Sequence, residues 1–134
     1  THANMYPNAF YRVSVKALIR DKQGNVLVVK ENQDTWSLPG GGLDHGESPE
    51  DGLWRELHEE LGLEHIKIRG IYRTLTFELK QKQAWLMWVV YDVETDCNDF
   101  IPGDGVSEVQ YLDPRVLIDS PDIFEQQVYK LAVQ

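Results

Sequence analysis

Residues 84–93, Ala-Trp-Leu-Met-Trp-Val-Val-Tyr-Asp-Val, constrain the fold most. The run is apolar at both alternating sets of positions, so it reads as a strand buried on both faces. Such a strand belongs inside a sheet with other elements packed on it. Residues 12–20 alternate, with Val13, Val15, Ala17 and Ile19 on one face. Residues 21–25 are turn chemistry and residues 26–30 form a second strand, so the pair reads as a hairpin. Residues 35–38 make a short strand running into Pro39-Gly40-Gly41-Gly42, which reads as a loop. Residues 66–79 give one or two strands broken near Gly70, and residues 106–112 a shorter one. Two helices are expected. Ser48 is an N-cap, Pro49 suits the first helical position, Asp51 completes a capping box and Gly62 is the stop. Ser120-Pro121 repeats that start, with Ile123, Val128 and Leu131 on the final helix. The expected class is α/β, a mixed sheet with helices packed on it. No linker or repeat divides the chain, so residues 1–134 read as a single domain.

Charge narrows the partners. Lys plus Arg number 13 against 22 Asp plus Glu, a formal charge of -9. This argues against general nucleic-acid binding and against a membrane surface, both of which select basic patches. A phosphate-bearing ligand stays possible if positive charge is brought in, and a divalent metal is the obvious source. Cys97 is the sole cysteine, so no intramolecular disulfide forms. No apolar run approaches the ~20 residues of a membrane span. Thr1-His2-Ala3-Asn4 shows neither the basic region nor the apolar core of a secretion signal. The expected location is cytoplasmic.

The first helix carries the chemistry. With about 100° per residue, Glu59 lies about 60° to one side of Glu56 and Glu60 about 40° to the other. Three carboxylates therefore share one stripe. Leu53, Leu57 and Leu61 form a neighbouring stripe that wants the core. Like charges this close repel, and the arrangement makes sense if they share a hard cation such as Mg²⁺ or Mn²⁺. The plain alternative is a solvated acidic face. Gly40, Gly41 and Gly42 ahead of the helix let backbone approach a ligand closely. Glu47 and Arg55 suggest an ion pair bracing that loop against the helix.

Together these residues form a spaced pattern: Gly41, Glu47, Arg55-Glu56, Leu57, Glu59-Glu60, Gly62, Leu63. Over residues 41–63 it resembles the Nudix box at every defined position. Leu38-Pro39-Gly40 and the strand pattern extend the resemblance loosely over most of the chain.

The resemblance implies an α/β/α sandwich on a mixed sheet. It also implies hydrolysis of a phosphoanhydride bond in a nucleoside diphosphate linked to another moiety, X, with Mg²⁺ (or Mn²⁺). By similarity Glu56, Glu59 and Glu60 are metal ligands, with the Gly40 carbonyl a further one. Glu47 and Arg55 hold the geometry of loop and helix. Attack of water puts negative charge on oxygens already anionic, and bound cations offset it. A carboxylate must accept the water's proton. Glu59 is the first choice, with Glu108 and then Asp104 as later acids. Gly41 and Gly42 are expected against the substrate, and Trp36 as a stacking surface for a base. Phe77, Trp85 and Trp88 are weighed with it, although aromatics in strands are usually core. His45 and His58 sit at unspecified box positions and are expected in solvent.

A second reading is a Nudix-fold nucleotide-binding or regulatory module without hydrolytic activity. Such a module would be expected to lose box carboxylates, and here all are present. The position where ADP-ribose-type members carry Pro is Glu78. Where one dinucleoside-polyphosphate group carries Tyr stands Lys80. A nucleoside triphosphate, a dinucleoside polyphosphate, a nucleotide sugar and a capped RNA end are open as X. The short chain favours small nucleotide derivatives. Family members are often dimers, so a homodimer is open too.

Overall fold

The computed structural model describes residues 10–103 and 105–133; the N-terminal residues and Asp104 lie outside them. The strands are β1 (Tyr11–Leu18), β2 (Val26–Glu31), β3 (Gly40–Gly42), β4 (Lys67–Leu79), β5 (Ala84–Glu94) and β6 (Val106–Leu112). The helices are α1 (Pro49–Leu61) and α2 (Ile123–Val133). Four strands make a sheet in the order β3-β1-β5-β4, and β2 pairs with β6 in a second ladder. Strands β1 and β5 run parallel while their other neighbours are antiparallel, so the sheet is mixed as expected.

Strand β5 is interior, between β1 and β4, and its two faces serve two cores. Tyr91 and Val93 join Val15, Ala17, Leu53, Leu57 and Leu61 on the α1 side. Trp88 and Val90 join Leu18, Phe77, Val128 and Leu131 on the α2 side. Helix α1 thus covers one face and α2 the other, which is the α/β/α sandwich. The stripe Leu53, Leu57, Leu61 is wholly buried. Burial of each such side chain stabilises the fold by roughly 1.5–3 kcal/mol. Ser48 accepts from Asp51 N at 3.3 Å, and Gly62 closes α1 in the left-handed region at φ 68°.

Four local expectations change. The predicted β1–β2 hairpin exists only at its root, where Leu27 N donates to Ile19 O and Arg20 bridges Val26. Beyond the turn both edges of β1 are already taken, by β3 and β5, so β2 pairs with β6 instead. The predicted loop at Gly40–Gly42 is a short strand on β1. Lack of side chains permits it: a Cβ on Gly40 would lie 2.0 Å from the Val15 carbonyl oxygen, at φ 129°. The predicted strand at 35–38 is a single bridge between Ser37 and Val29. Helix α2 begins at Ile123, later than the Ser120 start, because Asp122 accepts from Glu125 N. Residues 67–79 form one strand with two irregularities, flanking Gly70 and Arg73.

Candidate active site

Strand β3 runs antiparallel to β1 and delivers the chain to the start of α1. Gly40 N–H donates to Glu60 Oε1 at 2.7 Å, a buried bond that fixes the strand to the helix. The Gly40 carbonyl accepts from Lys16 Nζ at 3.2 Å, as does the Leu38 carbonyl. A carbonyl has two lone pairs, so the bond from Lys16 does not exhaust Gly40 as a ligand. At Gly41 a Cβ would fall 2.7 Å from the Glu56 carboxylate, so the backbone lies flat against that side chain. Gly42 O accepts from Arg55 at 3.4 Å, and a Cβ on Gly42 would meet the Arg12 guanidinium.

Arg55 organises the acids. It grips Glu47 with two bonds, Nε to Oε2 at 2.7 Å and Nη2 to Oε1 at 3.0 Å. That fork also receives Asp44 N–H at Glu47, which ties the loop back on itself. The Arg55 hydrogen bond holds the Glu47 carboxyl down at about 2, helped by Asp44 N–H. Arg55 Nη1 then reaches Glu56 at 3.2 Å and Glu59 at 3.3 Å. The expected brace is therefore present, and it touches two of the three stripe carboxylates as well.

The stripe is graded by burial. Glu60 is 6% exposed, the Glu56 side chain 15% and the Glu59 side chain 58%. Burial pushes the Glu56 carboxyl up, against the pull of Arg55. Burial pushes Glu60 up further, joined by a hydrogen bond and repulsion from Glu31, against Lys16 and Gly40 N–H. The three line a cavity of about 350 Å³ with Glu31, Asn32 and Gly105. Gly103 N–H donates to Glu60 O, which ties Gly103 to the end of α1, and Asn32 N–H donates to Gly105 O.

The remaining candidates lie elsewhere. Glu108 is inside β6, more than half exposed, and faces Lys30 at 3.4 Å outside the cavity lining. Asp104 lies outside the described residues. Trp36 is half-buried under the Lys30 ammonium at 4.5 Å, with its backbone N–H donating to Glu125 Oε2. It does not line the carboxylate cavity. Phe77 and Trp88 are core, while Trp85 is exposed beside Tyr11. His45 is exposed, and His58 stacks on Trp54.

Two residues escaped the sequence reading. Lys16 is buried in β1, and its ammonium sits 5.1 Å above the Trp88 ring. A cation set between Val15 and Ala17 in an apolar stretch was the available signal. Glu31 closes β2, and nothing in the strand pattern marks it out.

The donor set suits a hard divalent cation: carboxylate oxygens, a nearby carbonyl, and one buried Glu31 oxygen with no hydrogen-bond partner. Among the described residues no three acids or histidines are already gathered on one point. Arg55 holds Glu56 and Glu59, so a cation must draw them from it.

This arrangement makes stability depend on pH. The folded state retains the Glu60 proton at pH values where the unfolded chain has lost it. Its contribution is therefore full below the ordinary carboxylate range and is lost as pH rises above it. In chelator, the melting temperature should fall between about pH 6 and pH 8, and Glu60→Gln should flatten that slope. A wild-type curve that is flat or rising there, with the same slope in the variant, contradicts the assignment.

Comparison with known proteins agrees with the geometry. The NUDIX domain family model matches residues 10–131. An RNA pyrophosphohydrolase of Mannheimia succiniciproducens is 31% identical, the match covering 92% of this chain and 73% of the relative. One from Francisella tularensis subsp. mediasiatica is 29% identical over 96% and 95%. The crystal structure of the MutT protein from Methanosarcina mazei superposes with a TM-score of 0.76 at 22% identity, covering 93% and 94% of the two chains. The chain belongs to the Nudix family. It is a pyrophosphohydrolase, acting on phosphoanhydride bonds of nucleotide-linked substrates. No helix among the described residues is long and apolar enough to cross a membrane.

Proposed function

We propose that residues 1–134 act as one hydrolase domain that cleaves a small nucleoside polyphosphate or nucleoside diphosphate derivative with Mg²⁺, and that Mn²⁺ can replace it. The observation that carries this reading is the cavity itself. Glu56, Glu59 and Glu60 surround it, and the Gly40–Glu60 bond fixes it to the glycine strand. Glu56, Glu59 and Glu60, with the Gly40 carbonyl, are the residues that would hold the cation. When bound, the cation supplies charge neutralisation at the diphosphate and acidifies the attacking water.

The chain's own groups do the rest. Glu47 and Arg55 keep loop and helix in register through the bidentate pair. Gly41 and Gly42 leave backbone rather than side chain facing the substrate. Glu59 is the proposed base: it is the most exposed of the three and reaches solvent where a water can approach. It accepts the proton of the water that attacks phosphorus, and the bridging anhydride oxygen leaves with the electron pair. Glu108 is the weaker choice, because it pairs with Lys30 outside the cavity lining. Arg55 offsets the negative charge that gathers at the helix.

Two features bear on X. The acidic balance favours small nucleotides over long RNA, while the relatives named RNA pyrophosphohydrolase make a triphosphorylated RNA end the other substrate to include. The test is release of phosphate or pyrophosphate across nucleoside triphosphates, dinucleoside polyphosphates, nucleotide sugars and a 5′-triphosphate RNA. The expected outcome is fastest turnover on a free nucleotide derivative. Turnover confined to the RNA contradicts the small-substrate reading. Nucleotide binding without turnover on any member contradicts the hydrolytic reading.

A further inference from the structure

We infer that Glu31, carried by β2 and outside the Nudix box, is a further oxygen donor to the cation held by Glu56, Glu59 and Glu60. The inference rests on the metal-dependent reading above and deepens it.

Three observations support it independently of the box pattern. The first is strand parity. Leu27 and Val29 pack in the α1-side core, whereas Val26 and Val28 pack in the α2-side core. Glu31 shares the parity of Leu27 and Val29, and its side chain lines the same cavity as the three helix carboxylates. Its neighbour Lys30 goes the other way, to the Trp36 ring and Glu108. A register irregularity between Lys30 and Glu31 ends the regular ladder there.

The second is the orphaned atom. Glu31 Oε1 is buried and accepts no hydrogen bond, although its carboxylate meets Glu60. A buried carboxylate oxygen without a donor is costly. The cationic side chains nearby are engaged elsewhere. Arg55 is on Glu47, Glu56 and Glu59, and Lys16 is on two backbone carbonyls. A divalent cation in the cavity supplies the missing partner.

The third is rigidity. Asn32 follows at φ 52°, its N–H bonded to Gly105 O at 3.1 Å. The segment after Glu31 is thus pinned to the rim of the cavity. Glu31 is presented from a fixed strand end, opposite the helix that carries the other donors.

The test is Mn²⁺ binding to metal-free protein, followed by the electron paramagnetic resonance signal of free Mn²⁺ without any nucleotide. Glu31→Gln should bind Mn²⁺ at least about tenfold more weakly than wild type. Glu64→Gln, an exposed acid outside the cavity, should bind as wild type. Removing the orphaned charge should also leave the metal-free melting temperature of Glu31→Gln unchanged or raised. Wild-type affinity and stoichiometry in Glu31→Gln would overturn the inference and leave the hydrolase standing. Absence of Mn²⁺ binding in the wild type would instead overturn the metal reading on which it rests. If Glu31→Gln fails to fold, wild-type protein labelled at the Glu carboxyl carbons gives the same answer. Mg²⁺ should then shift the Glu31 signal together with those of Glu56 and Glu60, and a Glu31 signal that stays fixed while theirs move overturns the inference.

Discussion

Glu56→Gln should lower kcat about 10³-fold while the protein stays folded, because removing a proposed cation donor would forfeit on the order of 4 kcal/mol of transition-state stabilisation. Glu56 is the stripe carboxylate in closest register with Gly41, whose missing Cβ leaves room for the Glu56 side chain. Its side chain is largely shielded, so water replaces it poorly as a donor. Gln keeps the volume and one oxygen but loses the charge, and Arg55 keeps Glu47 and Glu59 as partners. Melting curves should therefore change little while turnover collapses. A loss below about tenfold would mean that Glu56 is not a principal donor.

Gly40→Ala is expected to have the largest effect on folding, a loss of roughly 3 kcal/mol or more. Two independent costs coincide there. The backbone sits at φ 129°, which an L side chain rarely adopts, and the added Cβ would lie 2.0 Å from the Val15 carbonyl oxygen and 2.9 Å from Lys16 Cα. Both obstacles are backbone atoms of the central sheet and cannot swing aside. Relief requires lifting β3 off β1, which also breaks the bond from Gly40 N–H to Glu60. Activity should fall with stability. Denaturant midpoints measure the first effect, and a shift worth under about 1 kcal/mol would contradict the geometry.

Helix α1 was legible in detail because its information is local. The cap, the stop, the leucine stripe and the carboxylate stripe follow from spacing along one helix. Strand β5 was legible because it is apolar on both faces. Spacing along the chain does not encode which strands pair. The β1–β2 turn looks like a hairpin, but the competition for the edges of β1 involves residues 40–42 and 84–94, far along the chain. Three successive glycines look like a loop, and only the crowding at Val15 shows why a side-chain-free strand is needed. Glu31 illustrates the limit most clearly. Its chemistry comes from meeting Glu60 across the fold, and no spacing rule in β2 encodes that contact.

The proposed place where a divalent cation and water cleave the phosphoanhydride bond is the carboxylate-lined cavity. The most direct measurement is phosphate or pyrophosphate release by chelator-treated protein, before and after Mg²⁺ is restored, for wild type and Glu60→Gln. Turnover should return with Mg²⁺ in the wild type and be abolished in the variant. Turnover that persists in chelator, or that Glu60→Gln retains at the wild-type rate, would contradict it.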